Sequence, residues 1–335
     1  MSTSISTQWQ LASRPTGEPT SENVVKVEID LAELAEGDVR VRNTFLSVDP
    51  YMRGRMNEGR SYVAPYSLGE TMTGAAVGEV IESTVEVLPV GTLVQHQLGW
   101  RDITQAPAAQ FTALPNVPGV SPSLFLSVLG LTGITAWTGL TQIAEIKEGD
   151  TVFVSGAAGG VGTMVGQIAR LLGASRVVGS AGTAEKVELL TSKYGYDAAF
   201  NYKDGDIAGQ LAEAAPDGID VYFDNVGGDH LSAALGAFND GGRAAICGVM
   251  SLINAKGDTG IKNSANIVTR GLTIKGFTMG SYFHLAPQFA DAMRGWLGDG
   301  KIVYDETITD GIDNAFAAFT GLMNGANVGK AIVRV

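Results

Sequence analysis

The stretch Thr151-Val152-Phe153-Val154-Ser155-Gly156-Ala157-Ala158-Gly159-Gly160-Val161-Gly162 changes character halfway along. Four of its first five residues are β-branched or aromatic, which predicts a short buried strand. Glycines follow at 156, 159 and 162. Beyond them Val161, Met164, Val165, Ile168, Leu171 and Leu172 recur at helical spacing as far as Gly173. Strand, glycine turn and helix in this order let backbone approach a pyrophosphate, and the open N–H groups of the helix start receive its charge. Gly162 and Gly166 lie one turn apart, so that face of the helix can pack close to a sheet. A glycine-rich strand–helix turn without a ligand fits the same letters equally well.

Downstream, strand and helix patterns alternate. Arg176–Ser180, Ala198–Phe200, Ile219–Asp224, Arg243–Cys247 and Leu272–Phe277 read as strands. Ala184–Tyr194, Ile207–Ala215, Leu231–Phe238 and Pro287–Leu297 read as helices, the last with Phe289, Met293, Trp296 and Leu297 on one side. This spacing predicts an α/β fold, a doubly wound parallel sheet with helices on both faces. Upstream, Val39–Val48, Ala75–Ile81 and Leu93–Gln97 read as strands and long helices are scarce until a helical pattern at Ala136–Ile143. The tail predicts a helix over Asn314–Leu322 and a last strand over Ala331–Val335, which could return to the first domain. Residues 1–125 with the tail 305–335 form one expected domain, and 126–304 the dinucleotide-binding one.

Composition narrows the function. Hydrophobic residues make up 45% and charged ones 17% of the chain, the balance of a globular protein. A net charge of −12 repels nucleic acid and anionic membranes, so neither is an expected partner. The single cysteine, Cys247, excludes an internal disulfide and fits a reducing, cytoplasmic compartment. Met1–Gln10 shows no basic cluster or apolar core, so no secretory signal is expected. Ile103–Ala144 carries no charge, but Pro107, Pro115, Pro118 and Pro122 break its first half. Glycines and threonines dilute its second half, and a buried junction is expected there, not a membrane span.

The second strand of a dinucleotide fold usually ends in a carboxylate that holds the adenosine ribose. Here it ends Val178-Gly179-Ser180-Ala181-Gly182, and Lys186 opens the following helix. A cation without the carboxylate suits a 2′-phosphate, which predicts NADP over NAD. His96, His230 and His284 are scattered, and Cys247 sits in an apolar strand, so no metal site is expected. The nucleophile elbow Gly-x-Ser-x-Gly is absent at Ser155.

Several segments resemble a known family: WQLASRP at Trp9–Pro15, LSVDPYMRGRM at Leu46–Met56, GLTGITAWTGL at Gly130–Leu140, the glycine turn, FDNVGG at Phe223–Gly228, and the tail from Thr309. The chain resembles the zinc-independent medium-chain dehydrogenase/reductases of the leukotriene B4 dehydrogenase, or prostaglandin reductase, group, and among them the bacterial NADPH-dependent curcumin reductases. The resemblance implies a β-rich, GroES-like catalytic domain beside a Rossmann domain, NADP as cofactor, and homodimers formed through the edge of the Rossmann sheet. It implies that Gly159, Gly160, Val161, Gly162 and Thr163 hold the pyrophosphate and that Lys186 and Tyr202 flank the 2′-phosphate. It further implies that Asn225, Cys247, Gly248, Phe277, Thr278, Met279 and Asn327 line the rest of the dinucleotide. Where zinc-dependent relatives carry a ligand histidine, this chain reads Gly69-Glu70-Thr71.

One position departs from the family. A tyrosine often precedes the asparagine after the Cys-Gly strand, near the substrate oxygen, whereas this chain has Ile253 before Asn254. Isoleucine donates no hydrogen bond, so Tyr51, Tyr62 or Tyr282 is expected to stand in, unless the cofactor ribose and water suffice. The turn at Asp49-Pro50 could aim Tyr51 into an interdomain cleft, and a tyrosine that merely packs the domain junction fits as well. Arg53 and Arg55 are expected in structural ion pairs. The expected activity is NADPH-dependent reduction of activated C=C bonds in enones and enals. A quinone reductase, or a cofactor-binding protein without turnover, are the alternatives.

Overall fold

A computed structural model describes residues 5–59, 61–115, 117, 119–253 and 260–335. The first four residues of the Met1–Gln10 reading, Pro118 and Asn254 lie outside the described residues. The chain forms two units: Met1–Ser127 with Thr307–Asn327 and Ala331–Val335, and Val128–Glu306 with Val328–Lys330.

The second unit carries the glycine turn. Its six strands stand in the order Ala198–Asn201, Arg176–Ala181, Thr151–Val154, Ile219–Asp224, Phe238–Ile246, Thr273–Gly276, all parallel. This is a doubly wound sheet whose strand order reverses beside Thr151–Val154. That strand is apolar because both of its faces are covered: Phe153 is fully buried and stacks on Tyr222 at 5.0 Å and on Phe200 at 5.8 Å. Burying one such ring stabilises the unit by roughly 1.5–3 kcal/mol.

Two expected boundaries move for packing reasons. Phe238 begins the fifth strand, where it pairs with Ile219, instead of closing the preceding helix Asp229–Ala237. The helical pattern at Ala136–Ile143 belongs to a helix that starts at Leu131 and widens into a π turn over Gly139–Ile143. Gly139 lies against the Phe223 ring with no room for a Cβ, so the backbone bulges where the ring fills the space.

The first unit is β-rich. Its main sheet runs Glu306–Asp310, Lys330–Arg334, Asp38–Ser47, Ala76–Ser83, Leu93–His96, Thr112–Ala113, with Ile103–Pro107 also pairing on Asp38–Ser47. Leu46, Met52, Met56, Trp100 and Phe319 fill its core. An antiparallel hairpin of Ile5–Leu11 and Val24–Asp30 is added. Its first strand hides an inverted pattern. Ser6 and Gln8 are buried along with Leu11, Ser6 Oγ donating to Ile103 O at 2.8 Å and Gln8 Nε2 to Ser6 Oγ at 3.1 Å. The uncharged stretch Ile103–Ala144 resolves into that strand, a 3-10 turn at Pro122–Leu126 and the Leu131–Thr138 helix. No helix among the described residues is long and apolar enough to cross a membrane.

Candidate functional site

Ligands of open α/β sheets sit beyond the carboxyl ends of the strands where the order reverses. In this chain that places the site at Ser155 and Asn225, which follow neighbouring strands. Gly156 takes φ +59°, a left-handed conformation that glycine adopts without strain. Gly159 caps the Gly160–Leu171 helix with extended backbone and no side-chain bond to the helix start. The first turn closes when Thr163 N–H donates to Gly159 O at 3.0 Å, and the N–H groups before it have no intrahelical partner. A Cβ on Gly162 would lie 2.5 Å from Gly156 O, so only glycine brings the helix start this close to the turn. Ala158 O accepts from Gly329 N–H at 2.9 Å, which lays residues 328–330 along the turn. This cradle of backbone donors fits a pyrophosphate.

A second group of residues, unread in the sequence, fixes the neighbouring turn. Asp224 is fully buried, and its Oδ1 accepts from Ser155 Oγ at 2.9 Å, Tyr222 Oη at 2.7 Å, Val226 N–H at 2.9 Å and Gly227 N–H at 2.7 Å. Asn225 is held by the same serine: its N–H donates to Ser155 Oγ at 2.9 Å and its Nδ2 to Ser155 O at 2.8 Å. The sequence signal was a carboxylate closing an otherwise apolar strand, Val221-Tyr222-Phe223-Asp224. Burial and the Asp224 charge hold the Tyr222 phenol well above its ordinary pKa. Tyr196 is another omission. Its ring lies against Gly166 and Gly179, and its hydroxyl donates to Gly162 O at 2.7 Å, pinning the glycine turn from behind.

The Tyr202 hydroxyl and the start of the helix that carries Lys186 both lie at the end of the second strand. Thr183 caps the Ala184–Ser192 helix by accepting from Lys186 N–H at 3.3 Å. Tyr202 opens a 3-10 turn, and its hydroxyl sits where a Cβ on Gly182 would be 3.0 Å away. His230 packs edge-on to the Tyr202 ring at 5.1 Å, which fixes the phenol. Burial and the neighbouring Lys203 charge lower the Lys186 pKa. The strand ends Ser180-Ala181-Gly182 without a carboxylate, the ending that suits a 2′-phosphate.

A cavity of about 450 Å³ opens beyond the last two strands. Cys247, Gly248, Phe277, Thr278 and Tyr282 all line it, so four predicted cofactor residues and one predicted donor share one space. Met279 is buried beside it and does not line it. Burial, with Asp224 nearby, pushes the Cys247 thiol up to about 12 and keeps it protonated. Ile253 follows a short 3-10 turn, and its side chain supplies no donor.

Other predicted residues fall in the first unit. Asn327 is buried there, just before the segment along the glycine turn. Tyr51 begins a single helical turn, Tyr51–Arg55, where burial and Asp49 raise its phenol above the ordinary value. Tyr62 is exposed. Arg55 departs from the expected ion pair: it donates to Ala64 O, Thr73 O and Thr73 Oγ1 and lies 4.1 Å over the Tyr66 ring. Arg53 donates to Asn57 Oδ1 at 2.7 Å and Gly17 O at 2.6 Å. Both guanidinium groups tie the loops around this turn to backbone carbonyls. The buried His96 bonds Asn43 Oδ1 at 2.8 Å.

Known proteins share this chain's sequence and fold. Residues 7–114 match the family described as the N-terminal domain of oxidoreductase, and residues 160–295 the family described as zinc-binding dehydrogenase. The chain is 40% identical to the NADPH-dependent curcumin reductase of Escherichia coli over 98% of this chain and 96% of that one. It is 40% identical to the NADP-dependent 2-alkenal reductase of Nicotiana tabacum over 93% and 91% of the two chains. The crystal structure of CurA from Vibrio vulnificus in complex with NADPH superposes with a TM-score of 0.93 at 39% identity, covering 98% of this chain and 99% of the other. The protein therefore belongs to the zinc-independent medium-chain dehydrogenase/reductases, in the group that holds the curcumin, alkenal and prostaglandin reductases.

Proposed function

We propose that this protein is an NADPH-dependent reductase of carbon–carbon double bonds conjugated to a carbonyl group. The observation that carries the reading is the end of the second strand, which closes Ala181-Gly182 without a carboxylate, with the Tyr202 hydroxyl beside Gly182 and Lys186 opening the helix that follows. The relatives' names point the same way: a 2-alkenal is an enal, and curcumin carries conjugated enone groups. Gly159, Gly160, Val161, Gly162 and Thr163 hold the pyrophosphate through backbone N–H groups and the helix dipole. Lys186 and Tyr202 hold the 2′-phosphate, and Asn225, Cys247, Gly248, Phe277, Thr278, Met279 and Asn327 line the remainder. NADPH, when bound, supplies a hydride for the substrate's β-carbon.

The protein's own part is positioning and charge stabilisation. Phe277 and Gly248 line the cavity, Phe277 giving it an apolar wall. A hydroxyl must donate to the carbonyl oxygen as negative charge gathers there, the largest catalytic effect in such sites. Tyr282 is the donor inside the cavity. Tyr51 is the second candidate, its phenol kept protonated by burial. Tyr62 is the third, and its exposure makes it the weakest. The first unit, with the tail, is the catalytic domain of this reading. A homodimer through the uncovered edge strand Thr273–Gly276 and a cytoplasmic setting complete it.

The test is NADPH consumption with simple enones and enals, comparing Tyr282→Phe and Tyr51→Phe with the parent. The donor's loss lowers kcat by ~10²-fold with NADPH affinity retained. Absence of turnover with every enone and enal tried, while NADPH binds, refutes the reading.

A further inference from the structure

We propose that Lys203 is a second cation of the 2′-phosphate seat, so that two ammonium groups and one phenol together select the phosphorylated dinucleotide. This rests on the reading that the 2′-phosphate lies at Lys186 and Tyr202. Gly182 supplies the geometry. A Cβ built there would stand 3.0 Å from Tyr202 Oη and 3.3 Å from Lys203 Cε. The phenol and the end of the Lys203 chain therefore converge on the strand end that leads into the Lys186 helix.

Side-chain hydrogen bonds hold the turn that presents Lys203. Asn201 Oδ1 accepts from Lys203 N–H at 3.1 Å, and Asn201 Nδ2 donates to Asp204 Oδ1 at 2.9 Å. The nearest carboxylate in sequence is thus tied to an amide. Lys193 is paired with Asp305, whereas no carboxylate among the described residues pairs with Lys203. The Lys203 charge also depresses the Lys186 ammonium, so the two repel each other across this seat. Two like charges at one strand end suit a ligand group that carries close to two negative charges, which is a phosphate monoester. A ribose hydroxyl gains nothing from the second lysine.

The experiment is equilibrium binding of NADPH, NADH and 2′,5′-ADP to the parent and to Lys203→Met, Lys186→Met and the double variant. Lys203→Met should weaken NADPH and 2′,5′-ADP about tenfold and leave NADH alone, as loss of one charge-assisted contact does. Lys203→Arg should restore most of it. The double variant should lose less than the product of the single losses, since both lysines act on one phosphate. If Lys203→Met leaves NADPH unchanged while Lys186→Met weakens it, the seat stands and Lys203 has no part in it. Equal weakening of NADPH and NADH by Lys203→Met also overturns the proposal, because the effect is then structural. If Lys186→Met leaves NADPH unchanged, the placement of the phosphate fails, and the proposal with it.

Discussion

A single buried carboxylate oxygen organises the ligand end of the sheet. Asp224 Oδ1 gathers four donors, and Asp224→Ala takes their common acceptor from all four, three of them buried. The expected loss is about 3 kcal/mol or more in denaturant unfolding, with weaker NADPH binding because the turn carrying Asn225 loosens. Asp224→Asn keeps one acceptor and should cost clearly less; equal losses for the two variants would show that the bonds at Oδ1 do not matter. His96 supplies a pH test. Its Nδ1 accepts from Leu98 N–H at 3.1 Å and its Nε2–H donates to Asn43, so the neutral ring is the bonded form. Burial and Arg101 lower its pKa from 6.5 to about 3. Between those values the unfolded chain takes up a proton that the folded one refuses. Stability from this residue is therefore complete above the upper value and lost as pH falls toward the lower one, by ~1.4 kcal/mol per pH unit. His96→Gln should flatten the acid limb of the unfolding free energy by that slope, and an unchanged limb would remove His96 from the account.

At the scale of elements, the glycine turn and its helix depend on a tyrosine from a later loop. Gly166 and Gly179 form the slot for the Tyr196 ring, whose hydroxyl holds Gly162 O. Gly166→Ala pushes a methyl into that ring and should destabilise by about 1–3 kcal/mol, as overpacking does. Adding Tyr196→Leu should recover part of the loss in thermal unfolding, since the clash and its cause are removed together; strictly additive losses would argue against the slot. The turn itself was legible because glycine spacing, strand composition and helical periodicity agree within one short window. Tyr196 was not, because a tyrosine in a helix–strand loop carries no periodic signal. The hairpin strand Ile5–Leu11 was missed for the opposite reason: it has a period of two, but Ser6 and Gln8 take the inward positions.

At the scale of the whole molecule, a chain of net charge −12 binds an anionic cofactor, so its cations must be local. Binding to the folded state alone stabilises it by ~2.7 kcal/mol at one hundred times the dissociation constant. NADPH at a concentration well above its dissociation constant should therefore raise Tm by several degrees, and NADH at the same concentration by much less. Equal shifts from the two nucleotides would contradict the phosphate seat proposed at Lys186 and Tyr202.

The letters alone determined the parallel sheet, the strand, glycine turn and helix within it, and the preference for a phosphorylated cofactor. Each of these depends on local composition: apolar runs of strand length, glycines where backbone must come close, and a lysine where a carboxylate is usual. Only the folded chain decided which side chains share a space. Asp224 meeting Ser155, Tyr282 meeting Cys247, and Lys203 converging with Tyr202 on Gly182 join residues from separate strand ends and loops. Such meetings are set by strand order and packing of the sheet, and neither leaves a mark in the spacing of residues along the chain.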